Sequence, residues 1–166
     1  MAVMPTTLRG SMRALADFTS KWSHPEYTPE PILISDLERA ESQLGGRLPD
    51  DYRDAILSIG LPRPTAALLH SICEEEADFD DVDDFLTAED MISSTLTWRE
   101  MGLPKDKIAF ASDCMGNLFA FDSAALCKSS GVWFFDHDTG ETTLVAPSFA
   151  MWIQQYLDLK FIPLDD

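Results

Sequence analysis

The sequence predicts an α+β fold with a largely antiparallel sheet, on three observations. Apolar residues recur at helical spacing through the first hundred positions, paired aromatic and β-branched segments fill the stretch from 107 to 146, and one more amphipathic helical pattern closes the chain. At 166 residues, 45% of them hydrophobic, the chain is long enough to bury a core, and its size fits one domain.

Residues 8–22 place Leu8, Met12, Leu15 and Trp22 on one helical face. Pro25, Pro29 and Pro31 then impose an extended connector, so residues 1–31 read as an N-terminal helix and connector ahead of a domain over 32–166. Thirty residues are too few for a domain of their own. Ser35 opens SDLE, a capping-box pattern in which the hydroxyl and the Glu38 carboxylate would satisfy free amides. Leu37, Ala40 and Leu44 mark the apolar face that follows, and Gly45-Gly46 stops it. Pro49, its φ preset for a first helical turn, starts another helix that carries Tyr52, Ala55, Ile56 and Ile59 as far as Gly60. The segment LLHSIC, 68–73, fits either a strand or a buried helical turn. Thr87 of TAED caps a helix bearing Met91, Ile92, Thr95 and Leu96 and ending at Gly102.

KIAFAS and NLFAFD flank the turn DCMG, and GVWFFD and ETTLV flank HDTG, which predicts two successive hairpins and four strands. Trp133 and Phe134 must point to opposite faces of their strand, so covering both needs a helix on each side of the sheet or a partner on one. Ser148 opens the closing helix, with Phe149, Trp152, Ile153, Tyr156 and Leu157 packing onto the sheet.

Charge is distributed unevenly. The formal net charge is −17, and residues 61–98 carry ten acids against one base. Between Arg63 and Arg99 there is no Lys or Arg, and eight of the eleven residues from Glu74 to Asp84 are acidic. Such a balance disfavours nucleic acid and anionic membranes as partners and favours basic proteins or cations. Cys73, Cys114 and Cys127 show no CxxC spacing and point to reduced thiols in a cytoplasmic protein, with Cys114 expected buried or weakly exposed. The start MAVMPTTLRGSMRALADF has no apolar h-region, so a secretory leader is not expected, and no uninterrupted apolar run reaches the roughly 18 residues of a membrane span.

The run LERAESQLGGRLPDDYRDAILSIG, followed by IAFASDCMGNLFAFD, VWFFDHDTGE and SFAMWIQQYL, resembles the SMI1/KNR4 (SUKH) superfamily over residues 34–158. The chain departs from the family pattern at Gly60-Leu61-Pro62, where an Asn-Gly pair is common. The resemblance implies a non-enzymatic binding fold. Its bacterial members resemble immunity proteins of polymorphic toxin systems, which block a toxin, often a nuclease; its eukaryotic members are regulators of cell-wall synthesis and signalling. Leu44, Gly45, Leu48, Pro49, Tyr52, Gly116, Asn117 and Trp133 match family positions as fold determinants, none of them catalytic.

Three readings of the acidic run stay open from the residues themselves. It is a solvated loop, or a patch facing a basic partner, or a cation site. Phe79, Val82 and Phe85 interleave the acids and would add apolar anchors to a patch. A calcium loop would use Asp78, Asp80, Asp84 and Glu89, but Val82 and Asp83 stand where an oxygen ligand and a Gly are needed. His24, His70 and His137 show no metal-binding spacing, and no nucleophile elbow or phosphate-binding Gly loop occurs, so no metal, cofactor or catalytic residue is expected. The partner-binding candidates are Glu74, Glu75, Glu76, Asp78, Asp80, Asp81, Asp83 and Asp84, with Asp136 and Asp138 on the second hairpin. The expected function is immunity against a cognate, basic toxin by occlusion of its site. A regulatory adaptor that binds a cellular protein or peptide is the alternative, and a divalent-metal hydrolase a more remote one.

Overall fold

The computed structural model describes residues 6–123 and 130–165. Cys127 lies outside them, as does the side chain of Leu8. The element order is α1 (Thr6–Trp22), α2 (Ile34–Leu44), α3 (Asp50–Ile59), α4 (Ala66–Glu74), β1 (Asp84–Phe85), α5 (Ala88–Arg99), β2 (Lys107–Ser112), β3 (Leu118–Asp122), β4 (Val132–Phe135), β5 (Thr142–Ala146) and α6 (Phe149–Asp158). The five strands form one antiparallel sheet in sequence order, which is the α+β architecture expected.

The helices sit on both faces of the sheet because the strands are apolar on both. On one face Trp152 of α6 packs against Phe119 with ring centroids 4.9 Å apart, and Phe110 and Phe121 stack at 4.0 Å beneath Tyr52 of α3. On the other face Trp98 of α5 meets Phe135 at 5.9 Å, and α2 packs against α5. Phe134 is buried on the first face beside Phe119, whereas Trp133 is half-buried on the other, with Lys107 Nζ 4.5 Å from its ring centroid. The first layer is completed by α1, whose Leu15, Phe18 and Trp22 are fully buried and whose Trp22 Nε1 donates to the Tyr156 carbonyl at 3.0 Å. The Pro-rich connector pairs with the segment after α3, where Glu30 and Leu61 exchange backbone hydrogen bonds of 2.9 and 2.8 Å.

Several local expectations are corrected. Ser35 caps nothing: α2 begins at Ile34, after an extended Leu33 whose carbonyl accepts the Asp36 and Leu37 amides, so Ser35 lies inside the first turn. Thr87 does cap, its Oγ1 accepting the Asp90 amide at 3.2 Å. Pro49 precedes α3 as its N-terminal cap residue and does not occupy the first turn. The ambiguous LLHSIC is helical, in α4, with Leu68 and Ile72 on the buried side. Leu96 is exposed, since Met91 and Thr95 take the buried face of α5. A fifth strand, β1, forms within the acidic run, pairing Asp84 with Ser112 and Phe85 with Ala111.

Of the residues that carry the resemblance, four hold core or helix-end positions. Leu44, Leu48 and Tyr52 are in the core, and Gly45 ends α2 at φ 72°, a left-handed conformation that a side chain disfavours. Strand β2 carries a bulge at Phe110, and next to it the Ala109 amide donates to Thr95 Oγ1 of α5 at 3.0 Å. A buried donor left without its acceptor costs about 1–3 kcal/mol. Thr95→Val, which keeps the shape and removes the oxygen, is therefore expected to lower unfolding free energy by about that amount in urea titrations, while Thr95→Ser retains the bond and loses less.

Candidate protein-binding face

The acidic run begins as the end of α4 and finishes as an edge strand. Glu74 closes α4, Glu75 caps it, and Glu76 turns the chain at φ 50°; all three carboxylates are exposed at the negative end of the helix dipole, where they gain nothing from it. Beyond them, apolar residues tie the segment down. Phe79 meets the Tyr156 ring edge-on at 5.4 Å, while Val82 and Phe85 are in the core. The backbone is fastened as well: Tyr156 Oη donates to the Asp80 carbonyl at 2.7 Å, the Asp83 amide to Ser112 O at 2.8 Å, and the Leu86 amide to Phe110 O at 2.9 Å.

This anchoring sorts the carboxylates into groups. Asp80 lies in the field of Asp113 and Asp136, from two hairpin turns remote in sequence, as well as of Asp81 and Asp78, and Asp81 lies in that of Asp113 and Asp83. Asp80 is exposed, whereas Asp81 is buried and accepts the Cys114 amide at 3.4 Å. Partial desolvation first, and then the neighbouring carboxylates, hold the Asp80 carboxyl above its usual range; desolvation is also the main cause for Asp81, where the bond from Cys114 works against it. Asp83 and Asp84 belong to a different hollow, of about 430 Å³, shared with Glu30, Arg63 and Asp90. There desolvation, then Asp90 and Asp83, raise the Asp84 carboxyl, with Arg63 opposing.

The hairpin turns are organised by their own polar side chains. Asp113, buried, accepts the Met115 and Asn117 amides with one carboxylate oxygen, at 2.9 and 2.8 Å, and the Asn117 side-chain amide with the other at 2.9 Å. Asn117 Oδ1 in turn accepts the His137 amide at 3.1 Å and lies 2.7 Å from His137 Nδ1, so the two turns are joined. Gly116, at φ 86°, completes the first turn. Asp136 is partly committed to the second, its Oδ1 accepting the Asp138 and Thr139 amides at 2.9 and 3.3 Å, while Asp138 stands exposed beside His137. Asp113 was missed as a member of this face; the only signal in the sequence is the turn pattern DCMGN, which gives no hint that Asp80 lies near.

Cys114 is exposed, contrary to expectation, because it sits at the tip of the first turn; desolvation and the nearby Asp81 push its thiol up to about 11, which favours the protonated form at neutral pH. Among the described residues no group of three His, Cys, Asp or Glu is placed to hold a metal ion, and Glu89, the last position of the calcium pattern, lies in the first turn of α5. No helix among the described residues is long and apolar enough to cross a membrane.

Raised carboxyls have a defined linkage. Asp80 and Asp84 bind their protons more tightly in the folded chain than in the unfolded one, so their contribution to stability is complete below the ordinary value of 3.8 and is lost as pH rises through their higher folded values. The double variant Asp80→Asn/Asp84→Asn is thus expected to melt about 1–4 °C above the parent at neutral pH, and the difference to vanish as pH falls toward the unfolded value. Melting curves across that pH range check it.

No curated protein matches the chain. Residues 31–155, from the connector through most of α6, match the SMI1 / KNR4 family (SUKH-1). The match spans most of the chain and leaves α1 outside it, and on it the chain belongs to the SMI1/KNR4 (SUKH-1) family.

Proposed function

We propose that this chain is an immunity protein that binds a cognate bacterial toxin in the cytoplasm and neutralises it by covering its active or substrate-binding site. The observation that carries this reading is that carboxylates which repel one another are nevertheless held together by buried anchors and backbone pairing. Desolvation and mutual repulsion raise Asp80 and Asp84, so their ionised forms destabilise the fold locally. A basic partner would relieve that repulsion on binding.

The docking face comprises Asp78, Asp80, Asp81, Asp83 and Asp84, flanked by Glu74, Glu75 and Glu76 at the end of α4 and by Asp136 and Asp138 on the β4–β5 turn. The toxin is a basic domain, such as a nuclease, whose Lys and Arg residues evolved to meet phosphates and meet these carboxylates instead. Inhibition is steric and electrostatic and involves no turnover. Family membership supports a protein partner, and the net charge of −17 supports a basic one.

Affinity capture with the full chain, followed by co-expression with the recovered protein, tests the reading. Recovery of a toxic protein whose growth inhibition the chain relieves supports immunity; recovery of a non-toxic regulatory protein assigns the adaptor role instead. Asp80→Asn/Asp81→Asn/Asp83→Asn/Asp84→Asn is expected to leave the fold intact and weaken toxin binding by roughly tenfold or more. The association rate constant of the unaltered chain is expected to fall steeply with added salt, and a rate independent of salt would contradict steering.

A further inference from the structure

Beside the acidic face lies a second hollow, of about 270 Å³, lined by Asp78, Phe79, Asp80, Phe119, Val145 and Gln155. Its composition is unlike that of the hollow around Arg63. Phe79, Phe119 and Val145 make part of the wall apolar, Asp78 and Asp80 add two acidic residues, Gln155 adds an amide, and no lining residue is basic. Phe119 is held by Trp152 and by Phe134, whose ring lies 5.3 Å away, and Phe79 by Tyr156, so the aromatic walls are fixed by the core. Val145 is 39% exposed on strand β5 at the edge of the sheet, which leaves the hollow open to an incoming side chain. Asp81, Asp113 and Asp136 surround Asp80 and add to the negative field.

A wall of aromatic and aliphatic groups beside carboxylates suits a side chain with an apolar stem and a cationic head. Lysine and arginine both have this form, but they differ at the head. The guanidinium is planar, less strongly hydrated, stacks on aromatic rings and offers five donors to a site lined by two aspartates and a glutamine. An ammonium offers three donors and is harder to desolvate. We propose that this hollow receives one arginine side chain of the partner, its methylenes against Phe79, Phe119 and Val145 and its guanidinium at Asp78, Asp80 and Gln155. The assignment rests on the reading of the acidic face as a protein-binding surface and names the residue that surface anchors.

The test uses the full chain, labelled with nitrogen-15, and small probes, so that it does not depend on whether the biological partner is a toxin. N-acetyl-arginine amide is titrated in parallel with N-acetyl-lysine amide and with the citrulline analogue, a neutral isostere. Saturable shifts confined to Phe79, Asp80, Val145 and the Gln155 side-chain amide are expected with arginine, with weaker binding of lysine and binding roughly tenfold or more weaker for citrulline. Val145→Trp, which fills the hollow from an exposed position, and Asp78→Asn/Asp80→Asn, which leaves the shape unchanged, are each expected to abolish them. Absence of saturable shifts, equal binding of citrulline or lysine, shifts spread over the whole acidic surface, or shifts that persist in both variants would overturn the proposal. If arginine binds as expected while Val145→Trp still binds the protein recovered by affinity capture as tightly as the parent does, the hollow takes arginine but does not anchor the partner, and the assignment to the partner is overturned.

Discussion

Phe79, Val82 and Phe85 sit among carboxylates that repel one another, and their burial decides where those carboxylates lie. Burying an aromatic or branched side chain contributes roughly 1.5–3 kcal/mol, whereas repulsion between two exposed charges is cut by water and salt to about 1 kcal/mol or less. The anchors therefore win, and the segment closes onto the sheet edge as β1 when charge alone would send it into solvent. What remains of the repulsion appears as carboxyls that hold their protons more tightly than usual. Every feature of the proposed face depends on this balance.

The same constraint explains how distant turns join the face. Once Asp81 is buried against the Cys114 amide, the β2–β3 turn is fixed relative to the acidic run, and the Asp113–Asn117–His137 bonds carry that placement to the β4–β5 turn. A surface assembled in this way is preorganised, so binding would cost little ordering of loops. Three exposed carboxylates at the C-terminal end of α4 add to the unrelieved negative charge, because a helix dipole disfavours them there.

Longer segments were legible in the sequence: β2 to β5 lie where aromatic and branched runs flank the turns DCMG and HDTG, and α6 lies where helical spacing placed it. Patterns governed by one or two residues were less so. SDLE and TAED look alike, yet Thr87 caps its helix and Ser35 does not, since the chain entering α2 is already extended at Leu33 and the helix starts before the serine. Strand β1 was hidden because a two-residue edge strand containing an aspartate has no period to detect and owes its existence to pairing with β2. Of the proposed face, the interleaved aromatics could be read from the chain; the approach of Asp113 and Asp136 to Asp80 could not, because it is set by packing between segments far apart.

Amide hydrogen exchange measures the central claim most directly, since it reports whether the acidic run is fastened to the sheet. The Asp83 and Leu86 amides, which donate to Ser112 and Phe110, are expected to exchange slowly, in step with the amides of β2 and β3. Exchange of these two amides at the rate of an unstructured peptide, with β2 and β3 still protected, would show a solvated loop and contradict the account of the face.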